Sequence, residues 1–67
     1  MTADLILTPN MDRPDDIYAG LLATHEGLTK DASDALNARL ILILMNHIGQ
    51  HDVLAQALQA AKSPEKG

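Results

Sequence analysis

Hydrophobic and polar positions alternate along this chain with helical spacing in three stretches. In the first, Ile17, Tyr18, Leu21, Leu22, His25 and Leu28 recur at steps of three and four, the signature of one helical face. The middle stretch is denser: "ARLILILMNHIGQH" (38–51) holds six consecutive apolar residues, Leu40 to Met45. In the third, "HDVLAQALQAA", Val53, Leu54, Ala57, Leu58 and Ala61 fall on one side.

Local signals set the limits of these elements. Pro14 suits a first helical turn, and Asp15 and Asp16 complement its positive end, so the first helix is expected to begin near residues 12–14. Gly27 reads as its C-terminal cap, and Gly20 within it as the mark of a close helix contact. Thr29 is a good N-cap for a second helix over 30–48, which Gly49 stops. Lys62 and Pro64 close the third. Ahead of them, "ADLILTPN" follows no helical period, and Pro9 biases Thr8 toward extended backbone, which suits a short strand or an arm packed on a neighbour. The expectation is an all-α fold: a small three-helix domain, a helical hairpin plus a C-terminal helix, with an extended N-terminal arm. Residues 1–11 form the arm, 12–62 the domain and 63–67 a disordered tail.

The second helix raises the functional question. On a helical wheel its apolar arc is about 240° wide, against the 100° or so of an ordinary surface helix. The arc runs through Leu36, His47, Leu40, Leu44, Asn37, Ile48, Ile41, Met45, Ala38 and Leu42. Arg39 and Asn46 share the remaining sector, with Ile43 at its edge. Two short flanking helices cover about half of such an arc, and a contiguous uncovered apolar patch marks an association site. The expected interface set is Leu40, Ile41, Leu44, Met45 and Ile48, with Asn37, Arg39 and Asn46 as its polar members. Asn37 and His47 lie inside the apolar arc and need partners there: a loop carbonyl of the same chain, or a register-fixing contact across an interface.

Composition narrows the possibilities. A chain of 67 residues buries only about 60% of its unfolded surface and is marginal alone. It has no cysteine for disulfides, and Tyr18 is its one aromatic residue, so any core is built of Leu, Ile, Ala and Met. The formal charge is −4, and Arg13, Lys30, Arg39, Lys62 and Lys66 are scattered. That pattern argues against nucleic acid and against a membrane-surface helix. The apolar runs are too short for a signal peptide or a span of about 20 residues. Cytoplasmic location is the expectation.

Candidate chemistry is thin. His47 and His51 are four apart, a spacing that can share a metal on a continuous helix, and His25 or Asp52 is a conceivable third ligand. Gly49 falls between the first two and ends the helix, so the expectation is no metal and no cofactor. His25 and His47 have a simpler role, donating to unpaired carbonyls at helix C-termini. Asp15 with Asp16, and Asp31 with Asp34, sit at helix starts, where the helix dipole accounts for them. There is no nucleophile constellation and no phosphate loop, so the chain does not read as an enzyme acting alone.

"LTPN" at residues 7–10, "LNARL" at 36–40 and "NHIG" at 46–49 resemble a family of short bacterial proteins known as domain of unknown function 2783, over most of the chain. The resemblance supplies no catalytic residues. It implies a setting among FAD-dependent aromatic-ring hydroxylases and other catabolic oxidoreductases. The expected function is therefore a non-catalytic helical accessory subunit, packing its central helix on a larger enzyme subunit or on its own copy. The alternatives are a self-associating homodimer of another role, and a small metal- or ligand-binding protein using His25, His47 and His51.

Overall fold

A computed structural model describes residues 4–62. Three helices follow one another: α1 (Pro14–His25), α2 (Lys30–Ile48) and α3 (His51–Lys62). No strand occurs among the described residues. The fold is all-α, as the helical spacing requires.

α2 begins and ends where its caps say. The Thr29 hydroxyl oxygen accepts from the Ala32 N–H at 3.2 Å, and Asp31 stands in the first turn. At the other end Gly49 adopts a left-handed φ of 72°, and its N–H donates to the Met45 carbonyl at 2.8 Å. A side chain at this position would meet the backbone strain that glycine avoids. Thr29→Ala should cost about 1 kcal/mol, because it leaves one of the orphan N–H groups of α2 without its side-chain acceptor. A urea titration of the assembled protein measures this, and an unchanged midpoint would mean the cap contributes nothing.

α1 starts in a way the sequence does not announce. The residue before a proline is biased toward extended backbone, yet Arg13 is left-handed, with φ 49° and ψ 62°. Its carbonyl takes up the Asp16 and Ile17 N–H groups, each at 3.1 Å. Its guanidinium lies 3.9 Å from Asp12 and 4.0 Å from Asp16, exposed pairs that contribute little. Past the end of α1, Gly27 holds a φ of 80°, and the Leu28 N–H donates to the His25 carbonyl at 3.1 Å. Gly27 therefore reverses the chain as expected, one residue beyond the cap at Glu26.

The helices pack unevenly. α3 folds back along the C-terminal half of α2 after a two-residue turn and makes the closest helix pair. The closest pair is thus α2 with α3, whereas the expectation from sequence was a hairpin of the first two helices with the third appended at the C-terminal end. α1 is held to α2 by a side-chain bond, His25 to Asn37 at 2.8 Å. The described part of the N-terminal arm, residues 4–11, has no regular structure and lies along α3. There the Leu5 N–H donates to the Gln56 side-chain carbonyl at 3.1 Å, a contact between positions 51 apart. Residues 1–3 and the expected tail at 63–67 lie outside the described residues.

The outstanding feature is what the packing leaves open. No described side chain is buried. Leu36, Leu40 and Met45 of α2 and Val53, Leu54 and Ala57 of α3 are half-buried, and they are the nearest approach to a core. The radius of gyration is 13.9 Å, against about 11 Å for a compact chain of this length.

Candidate docking surface

Two apolar grooves flank α2 on one side. The first lies between α1 and α2 and is lined by Ile17, Gly20, Leu21, Thr24, Leu40 and Leu44. The second lies between α2 and α3, lined by Ile41, Leu44, Met45, Ile48, Leu54, Ala57, Leu58 and Ala61. Leu44 belongs to both and stands half exposed (49%) on the ridge between them. The two grooves and the ridge make one shallow apolar cup, and its walls are the facing sides of α1 and α3.

The eight expected interface residues divide between two sides of α2. Leu40, Ile41, Leu44, Met45 and Ile48 line the cup. Leu40 and Met45 are half-covered by the flanking helices, while Ile41, Leu44 and Ile48 are exposed. Asn37 acts within the chain through its bond to His25. Arg39 and Asn46 are exposed and line neither groove, and their side chains make no hydrogen bond or ion pair among the described residues.

Asn37 found its partner in a helix rather than in a loop carbonyl. The His25 Nδ1 donates to the Leu21 carbonyl at 2.9 Å, which leaves Nε2 to face the Asn37 amide. The contact works in both states of the ring. A neutral imidazole accepts from the amide NH₂ once that amide is rotated, and an imidazolium donates to Oδ1. His25 was expected to donate to an unpaired carbonyl at the helix end, and the carbonyl it meets is that of Leu21, one turn back within α1. His47 differs: its side chain makes no hydrogen bond among the described residues, and the Met45 carbonyl is met by the Gly49 N–H.

Gly20 also departs from expectation. A side chain added there would meet nothing within 4 Å, so no helix of this chain approaches it closely. It forms an open stretch of the α1–α2 groove, beside Thr24, whose hydroxyl donates to the Gly20 carbonyl at 2.7 Å.

His25 is committed to Leu21 and Asn37, and the His51 ring lies 3.8 Å from the Asp52 carboxylate. No group of three or more potential metal ligands comes together among the described residues. Adding a strong chelator should therefore leave the thermal melt of the purified protein in place. A large loss of stability on chelation, with about one metal per chain found beforehand by elemental analysis, would overturn this.

Among the described residues, no helix is long and apolar enough to cross a membrane. The described residues define a small helical protein whose apolar side chains face outward. The chain belongs to the family described as Protein of unknown function (DUF2783), whose sequence model matches residues 5–63. No curated protein and no solved structure matches it.

Proposed function

We propose that this chain is a non-catalytic interaction subunit that receives an apolar helix of a larger protein in the cup around Leu44. The observation that carries the proposal is the absence of any buried side chain among the described residues, combined with grooves whose walls are almost wholly apolar. Hydrophobic burial is the main favourable term in folding. A chain that leaves this much apolar surface open gains that term on association.

The shape of the cup favours a helix as occupant. Its two grooves lie between helices on either side of a ridge, and an amphipathic helix lays a stripe of anchors into such a groove. Gly20 adds room, since it leaves the α1 wall without a side chain at mid-groove. An oxidoreductase carrying FAD is the partner class that the family resemblance implies, and flavin absorbance in the isolated assembly is the direct marker for it.

The test is the native mass and composition of the assembly isolated from source cells. The proposal expects a second, larger chain in fixed proportion to this one. An assembly made only of this chain would refute it.

A further inference from the structure

The side of α2 opposite the cup carries an independent message. Leu42 and Ile43 are 65% and 64% exposed there, and they line neither groove. Arg39 and Asn46 flank them on the same sector of the helix. We propose that this face pairs with the same face of a second copy, with the two α2 helices antiparallel and Arg39 of each copy bonded to Asn46 of the other.

The pattern of residues is self-complementary. Arg39 and Asn46 stand at equal distances on either side of the Leu42–Ile43 step. A twofold axis through that step brings Arg39 of one copy level with Asn46 of the second. The guanidinium N–H groups then donate to the Asn46 Oδ1, twice over by symmetry, and Leu42 and Ile43 cover one another between the two bonds. This is an isologous interface, in which each copy supplies both halves of the contact. Parallel pairing would set Arg39 against Arg39, which like charge disfavours. Antiparallel pairing also opposes the two helix dipoles. Arg39 has no acceptor among the described residues of its own chain, so the pairing takes nothing away from the fold.

The purified chain tests this without any partner. Sedimentation equilibrium should give twice the chain mass. Asn46→Arg sets two guanidinium groups against each other and should weaken the dimer by roughly tenfold or more. The exchanged double variant, Arg39→Asn with Asn46→Arg, should restore it, since each position keeps a matching opposite. Both positions of change are exposed, and far-UV circular dichroism checks that the helices persist. Because the chain lacks cysteine, Leu42→Cys should form a disulfide-linked pair on mild oxidation while Leu44→Cys does not. A monomeric wild type, a double variant as weak as Asn46→Arg alone, or cross-linking through position 44 in place of 42 would overturn the proposal. A larger chain found in the source-cell assembly with no dimer on purification would overturn it too, and would leave the cup reading intact. A dimer with no larger chain would do the reverse.

Discussion

Leu44→Asp should release the chain from its larger partner while α2 stays helical. Leu44 forms the ridge shared by both grooves, so a helix lying in the cup covers it on both flanks. In the free chain the residue is half exposed, and an Asp there keeps its water. In the assembly the same carboxylate is enclosed by Leu, Ile and Met side chains with no cation within the cup. An enclosed, unpaired carboxylate costs several kcal/mol, which corresponds to a loss of affinity of roughly a hundredfold or more. Ile43→Asp, on the far side of the helix, is the control: it should spare the larger partner and weaken the dimer. Measured binding of Leu44→Asp equal to that of wild type would remove the cup as a docking surface.

The melting of the purified chain should depend strongly on its concentration. α1 and α3 are only 12 residues each, below the length at which isolated helices persist in water. Their first-turn carboxylates, Asp15 and Asp16 in α1 and Asp52 in α3, contribute at most about 1 kcal/mol apiece. With no buried side chain among the described residues there is no large apolar term to hold three such helices together. The proposed pairing would supply it, and stability would then grow with chain concentration by about 1.4 kcal/mol for each tenfold rise. For a domain of this size, about 4–8 °C in Tm accompanies each kcal/mol. Melts recorded over a hundredfold range of concentration should therefore shift by many degrees and broaden at the dilute end. A sharp transition at one temperature across the whole range would mean that the chain folds alone.

The candidate docking surface was partly legible in the sequence. The excess width of the apolar arc on α2 already exceeded what two short helices can cover, and Ile41, Leu44 and Ile48 do stand open in the cup. The wheel did not say that the open positions lie on two sides. It placed Leu42 at one edge of the arc and Ile43 at the other, with Arg39 and Asn46 as a polar gap between them. Once α1 and α3 are set against the other side, those four residues become a continuous face. His47 and Gly20 were misjudged for a related reason: each was read for a contact that depends on where a neighbouring segment comes to lie.

The amino-acid sequence by itself determined the three helices and their ends. The bonds that start and stop a helix join residues three or four positions apart, so Pro14, Thr29, Gly27 and Gly49 act on their own neighbours whatever the rest of the chain does. Only the tertiary structure decided which side of α2 each flanking helix takes, that His25 ties α1 to Asn37, and that the arm reaches α3 through Leu5 and Gln56. Those contacts join positions 12 and 51 apart. An apolar arc this wide offers α1 and α3 many sites of similar apolar character, and the choice among them rests on shape and on a few directed polar bonds that no helical period encodes.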